Sequence, residues 1–225
     1  IVPSKFSQHL NKMIWDCCVQ KPSDIQTYED FLQKITIKDR DALLYGIYHI
    51  TYKDINNYEI TCPSCQKKYP VKVDISKCFS MVGYKNELGI PLIAKEVPVK
   101  LPVANNIVAI IKQPVLAQEE DLMSDMLFQS RKNLEIGIEL LVINRFEIEN
   151  PSAQSGYEKV TQRDNIFMIY QQLPSSDRKA ITKAYIDNFG KYSIDLKVTT
   201  RCVSCGEEVE TNIDLVTQFF RSLYE

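Results

Sequence analysis

The chain has 225 residues, of which 44% are apolar and 25% charged, with a formal charge of −2. This is globular composition with enough apolar content for a core, and its near-neutral balance supplies no field for nucleic acid or anionic lipid. No apolar run approaches the roughly 20 residues of a membrane-spanning helix, and no signal peptide is legible.

The length suits one large domain or two small ones. Phe6, Leu10, Met13, Ile14 and Cys17 form a stripe that predicts a helix over 4–18, ended by Pro22. A second short helix is expected near Tyr28 to Gln33. Thr36-x-x-Asp39 resembles a capping box ahead of Leu43, Leu44, Ile47 and Ile50. Tyr58 to Thr61 and Val71 to Ile75 then alternate as strands around Cys62-x-x-Cys65.

From about Ile90 to Val115 the chain is rich in Val, Ile and Pro. Val97, Val99 and Leu101 alternate with prolines and Lys100, and Ala104-Asn105-Asn106 is a turn before Ile107 to Ile111. The pattern predicts a β-hairpin whose prolines mark an edge strand. A long helix is expected from about Glu119 to Asn144, with Met123, Met126, Leu127, Leu134, Ile138 and Leu141 on its apolar stripe. Residues 146–163, polar and carrying Pro151 and Gly156, read as a loop. A helix near Asp164 to Gln172 stops at Pro174. Ser175 or Ser176 caps the next, with Ile181, Ala184, Tyr185 and Phe189 apolar and Gly190 after its end. Ile194 to Val198 alternates as one strand ahead of Cys202-x-x-Cys205, and Phe219-Phe220-Arg221 lies in a terminal helix or tail.

One stretch occurs twice. Cys62, Ser64, Cys65 and Asp74 recur 140 positions on as Cys202, Ser204, Cys205 and Asp214, with Val73 and Ile75 matched by Ile213 and Leu215. Upstream, Asp39-Arg40 and Asp177-Arg178 each open an amphipathic run. Two copies are too few for a solenoid, so a pseudo-symmetric pair is the expectation. The predicted fold is α+β, with internally duplicated helix plus Cys-x-x-Cys β-hairpin units of zinc-ribbon type. It divides into an N-terminal helix (1–24), the first unit (25–80), a central β-hairpin and long helix (81–145), the loop (146–163), and the second unit with its tail (164–225).

Seven cysteines, four of them in two Cys-x-x-Cys pairs, suit a metal better than a secreted disulfide framework. A structural zinc takes four ligands in a tetrahedron, and each pair supplies two. The expectation is one structural Zn²⁺ per chain, bound by Cys62, Cys65, Cys202 and Cys205. Lys67-Lys68 in the first turn matches Glu207-Glu208 in the second, so the two turns would attract across the axis. The alternatives are metal-free pairs, reduced or as local disulfides, and separate sites completed by residues such as Cys78 and His49. A catalytic zinc normally keeps an open position beside a general base. The two histidines, His9 and His49, lie near neither pair in sequence, and strand-like residues follow each pair where a redox motif would open a helix. Cys17, Cys18 and Cys78 read as small buried residues, His49 as structural, Met123 and Met126 as core, and Asp74 and Asp214 as strand-end residues. No catalytic constellation stands out, so no enzyme activity, small-molecule substrate or membrane association is expected. A zinc ribbon that binds nucleic acid or serves transcription is the alternative, disfavoured by the acidic second turn.

Several of these motifs together resemble a known family. They are Asp39-Arg40 with Leu43-Leu44, Cys62-Pro63-x-Cys65 with a trailing Val73-Asp74, Val97-x-Val99-x-Leu101-Pro102 to Ile111-x-x-Pro114, and the Phe219-Phe220-Arg221 ending. In these the chain is similar to the baseplate hub assembly proteins of T-even-like contractile-tailed bacteriophages. The resemblance implies a non-enzymatic structural or assembly protein that binds other tail and baseplate proteins, in the virion or in the host cytoplasm during assembly. Both cysteine pairs would mark a branch of that family.

Overall fold

The computed structural model describes residues 3–52, 55–77, 79–81, 96–124, 140–189, 192–194 and 196–212. The protein is mixed α+β, and the paired strands among the described residues all run antiparallel. It divides into two compact units, each built from two separate stretches of chain: 1–40 with 83–191, and 41–82 with 192–225. Among the described residues no helix is long and apolar enough to cross a membrane.

The first unit contains a four-stranded sheet. Its strands are β4 (Val97–Lys100), β5 (Ile107–Ile111), β6 (Ile143–Glu149) and β7 (Tyr157–Val160), in the order β4-β5-β6-β7. The expected central hairpin is β4–β5, and Pro98 does sit on an edge strand, where its missing N–H interrupts no ladder. Helices α5 (Arg163–Gln172) and α6 (Ser175–Phe189) contribute to the same core as the sheet. Phe146 and Ile111 are fully buried there, among Val99, Ile166, Tyr170 and Phe189.

The loop expected over 146–163 is not found, and the helix expected over 119–144 has its last two residues in a strand. Helix α4 (Leu116–Ser124) covers the start of the expected helix, and residues 140–142 are helical too. Met126, Leu127, Leu134 and Ile138 lie outside the described residues, and by Ile143 the chain is already in β6. The stretch read as a loop is the β6–β7 hairpin, with Phe146 opposite Val160 and Ile148 opposite Glu158. Its polar composition misled because one face of an antiparallel hairpin can face water. Arg145, Glu147 and Glu149 occupy alternate positions, and Phe146 between them is fully buried.

Helices α1 (Pro3–Cys17) and α2 (Tyr28–Lys34) belong to the same unit as α4. The buried stripe of α1 is Ser7, Leu10, Asn11 and Ile14. Ser7 Oγ donates to Glu119 at 2.7 Å and Asn11 Nδ2 to Glu120 at 2.8 Å, while Asn11 Oδ1 is buried with no partner among the described residues. Arg40 also pairs with Glu119, both nearly buried. Cys17 is exposed and Cys18 half-buried, against the expectation of burial, because they lie at and past the end of α1, beyond the last buried turn at Ile14. Trp15 packs on Phe31, with ring centroids 5.6 Å apart.

α2 carries a capping box that was not expected from its sequence. Thr27 Oγ1 accepts from the Asp30 N–H at 3.0 Å, and the Asp30 carboxylate accepts the Thr27 N–H at 3.0 Å. These bonds, the Thr27 hydroxyl first, hold the Asp30 carboxyl below its usual range. A group with a depressed folded pKa stabilises above its unfolded value of about 3.9 and loses that contribution as the pH falls. Thr27→Ala is therefore expected to cost about 1 kcal/mol near neutral pH, and the difference from wild type should shrink in acid. Urea melts at pH 7 and pH 3 check this; an equal difference at both would refute the ionised box. The predicted box at Thr36 is present too, with Thr36 Oγ1 accepting from the Asp39 N–H at 3.1 Å and the Asp39 carboxylate accepting the Thr36 N–H at 3.1 Å.

In the second unit, residues 41–52 of α3 (Ile37–Tyr52) bury Leu44, Tyr45 and Tyr48. The Tyr45 hydroxyl donates to the Ile75 carbonyl at 2.6 Å, and the Tyr48 and Tyr58 hydroxyls meet at 3.1 Å. Ile50, expected on the apolar stripe, is 84% exposed. The two tyrosines rotate the inner face away from it. β1 (Ile55–Thr61) pairs with β2 (Lys68–Asp74), and β9 (Lys197–Arg201) with β10 (Glu208–Asn212). β3 (Phe79–Met81) pairs with β8 (Tyr192–Ile194). The single strand expected over 194–198 is therefore two strands with different partners. Alternation identifies an extended chain but not the strand it pairs with.

Candidate metal centre

Each cysteine pair sits on the turn of a hairpin in the second unit. The first hairpin closes with Thr61 opposite Lys68. Between them the Cys62 N–H donates to the Lys67 carbonyl at 3.0 Å, and the Gln66 N–H to the Cys62 carbonyl at 2.9 Å. The second closes with Arg201 opposite Glu208. There the Cys202 N–H donates to Glu207 at 2.8 Å and the Gly206 N–H to Cys202 at 2.9 Å. The same two bonds thus recur at matched positions. Both turns require a left-handed residue, Gln66 at φ 60° and Gly206 at φ 75°. Nothing lies within 4 Å of where a Cβ on Gly206 would fall, so only backbone strain opposes a side chain there.

Glycine adopts that conformation without the penalty of about 1–2 kcal/mol carried by residues with a Cβ. Gln66→Gly is expected to stabilise the protein by about 0.5–1 kcal/mol, and Gly206→Gln to destabilise it by about 1 kcal/mol. Denaturant midpoints of the two variants test this. A destabilising Gln66→Gly would mean that the bond from the Gln66 side-chain amide to the Pro63 carbonyl, 2.9 Å long, outweighs the strain.

The turns bring the four expected thiols together. Cys62 Sγ lies 3.7 Å from Cys205 Sγ, and Cys65 Sγ 3.6 Å from Cys202 Sγ. All four sulfurs fall within 4.8 Å of one another. A disulfide is about 2.05 Å long, so these are free thiols. A tetrahedron of sulfurs about 2.3 Å from a zinc ion has edges of roughly 3.8 Å. The spacing therefore fits a four-thiolate metal cage. Among the described residues this is the one His, Cys, Asp or Glu group that could hold an ion.

The surroundings favour thiolate at one position and oppose it at another. The Ser204 N–H directed at Cys202 lowers its pKa to about 6, against the opposing effect of burial. At Cys205 the Glu207 N–H lowers the pKa, but burial and the hydrogen bonds with Cys202, Cys65 and Cys62 outweigh it and push the thiol to about 12. Four sulfurs this close resist holding several negative charges unless a cation joins them.

The core around the thiols is small. Cys62 and Cys202 are buried with Ile60, Tyr69 and Val209, and Cys65 and Val71 pack on this group. Tyr69 and Val209 occupy equivalent places one residue into β2 and β10, a further match between the two hairpins that the cysteine motif alone does not reveal. Burial first, and then the negative charge of Cys202 and Cys62, raise the Tyr69 phenol above its usual pKa.

The expected attraction between the two turns is not found. Lys68 pairs with Glu59 at 2.9 Å and Lys197 with Glu210 at 2.6 Å, each within its own hairpin. Lys67, Glu207 and Glu208 make no ion pair among the described residues. Diagonal neighbours on a two-stranded ribbon are already within reach of long side chains, so the charges are used locally. His49 stacks on Tyr45, with centroids 6.1 Å apart, in keeping with a structural role. Asp74 accepts from the Ser76 N–H and hydroxyl at 3.1 and 2.5 Å, which turns the chain at the end of β2. Cys78, Gly190, Asp214 and Phe219-Phe220-Arg221 lie outside the described residues.

A family model described as T4 bacteriophage base plate protein matches residues 3–221. No curated protein and no solved structure matches the chain.

Proposed function

The chain belongs to the T4 bacteriophage base plate protein family, and from that premise we propose a non-enzymatic structural or assembly role in the tail baseplate. Its partners in this reading are other hub and baseplate proteins, and its places are the virion tail and the host cytoplasm during assembly. The family match over nearly the whole chain carries the reading. The cysteine cluster deepens it. One structural zinc on Cys62, Cys65, Cys202 and Cys205 would clamp two zinc-ribbon-like hairpins that are 140 residues apart in sequence, and the two would be copies of one duplicated unit. The sulfur spacing and the matched turn bonds support this. Among the described residues β4 is an edge strand, and its outer backbone would offer a partner strand a place to pair.

The test is to tag the chain in infected cells and follow it by mass spectrometry through assembly intermediates and purified particles. Retention at fixed stoichiometry in the tail would make it a baseplate component. Association with baseplate intermediates alone would make it an assembly factor. Absence from both would overturn the proposal.

A further inference from the structure

The first unit holds a cleft of about 490 Å³ whose walls include Asp24, Lys34, Glu96, Lys112, Gln113 and Val115. Its floor is fixed by backbone bonds: the Lys112 N–H donates to Val142 at 2.9 Å, the Ile37 N–H to Pro114 at 3.2 Å, and Thr36 bridges Val115. The carboxylates in the walls are already engaged. Glu96 accepts from Arg145 at 2.8 Å and from Asn144 at 2.6 Å, and Asp24 lies 3.7 Å from Lys34. Lys112 has no carboxylate partner among the described residues.

Beside it, Gln113 is 7% exposed, and its Oε1 is buried with no hydrogen-bond partner among the described residues. A buried amide oxygen without a donor lowers stability and calls for an explanation. Gln113 lines the cleft, and its terminal torsion is broad, so a turn of the amide would bring the oxygen to the cleft surface when a donor arrives. Among the described residues the site thus combines an ammonium that has no carboxylate partner with an unsatisfied amide, on a floor held by backbone hydrogen bonds. We infer that this cleft binds an acidic side chain carried on an extended peptide segment of a partner protein. The carboxylate pairs with Lys112, and the adjoining backbone N–H donates to Gln113 Oε1. The inference concerns a different unit from the cysteine cluster and does not depend on a metal there.

The experiment uses the full chain, with the blocked tripeptides Ac-Gly-Glu-Gly-amide and Ac-Gly-Gln-Gly-amide as probes, titrated to millimolar concentration. Backbone amide shifts of Lys112, Gln113 and Val115 report binding. The glutamate peptide is expected to shift these signals saturably and the glutamine peptide to bind about tenfold more weakly. Lys112→Met should weaken the glutamate peptide by about tenfold as well. Gln113→Leu keeps the volume and removes the unsatisfied oxygen, so it should fold at least as stably as wild type while losing the peptide. No saturable shift, equal binding of the two peptides, or a Gln113→Leu protein that is less stable would each overturn the inference; the last would give the amide a structural task instead.

Discussion

Protein purified without chelator is expected to carry a single zinc ion per chain, and Cys62→Ser and Cys202→Ser are each expected to lose it. The reason lies in how little else, among the described residues, joins the two hairpins at their turns. The buried group there is Ile60, Tyr69 and Val209 with the two inner cysteines, and a lone two-stranded hairpin is marginal in water. Structural zinc supplies on the order of 10–16 kcal/mol in small modules, far more than burial of three side chains at about 1.5–3 kcal/mol each. Chelation should therefore lower the melting temperature and expose the amides of the β1–β2 and β9–β10 hairpins to hydrogen exchange. Because thiolates must be deprotonated to bind, the metal should also leave as the pH falls. Two zinc ions, each lost in one variant only, would mean separate sites. A metal-free protein whose melting is indifferent to chelator would end the clamp hypothesis while leaving the family assignment intact.

Asp177→Ala should be the most damaging single change in the first unit outside its apolar core, at about 2–4 kcal/mol. Asp177 is fully buried in the first turn of α6. Its two oxygens accept from the backbone N–H groups of Val103 and Ala104, at 2.8 and 3.0 Å. One carboxylate thus ties the helix N-terminus to the chain just after β4, and its charge suits the positive end of the helix. Alanine would leave both donors without that partner. Asp177→Asn would be little better, since the new amide nitrogen would face an N–H. Arg178, the neighbour of Asp177 in the repeated Asp-Arg pair, lies 5.9 Å over the Tyr170 ring. Arg178→Ala is expected to cost no more than about 1 kcal/mol. Urea unfolding of the three variants would decide the matter, and a cost below about 1 kcal/mol for Asp177→Ala would show that the tie is dispensable.

The two Asp-Arg pairs show how far motif matching reaches. Asp39 caps its own helix through Thr36, whereas Asp177 reaches residues 73 and 74 positions away. The dipeptide is the same, and the uses differ because Asp39 accepts the Thr36 N–H three residues away, whereas Asp177 meets the backbone donors of a segment distant in sequence. No local rule records that.

What the sequence determined by itself was local. Cys-x-x-Cys followed by a residue able to turn left-handed sets each knuckle, and Gly206 shows this more plainly than Gln66. Pro98 assigns β4 to an edge because proline lacks the donor that an inner strand needs. Thr36 and Asp39 set a helix start through bonds three residues apart. Each of these rests on interactions within a few residues, which composition and spacing encode directly.

Tertiary structure decided the partners. It brought Cys62 beside Cys205 and Cys65 beside Cys202, paired β3 with β8, and split the run at 194–198 between two sheets. It also placed Arg145, Glu147 and Glu149 on the face of a hairpin opposite Phe146 and turned Ile50 outward in favour of Tyr45 and Tyr48. Periodicity states which face of an element is apolar. What that face meets depends on contacts between residues far apart in the chain, and these are selected by the packing and polar satisfaction of the whole unit.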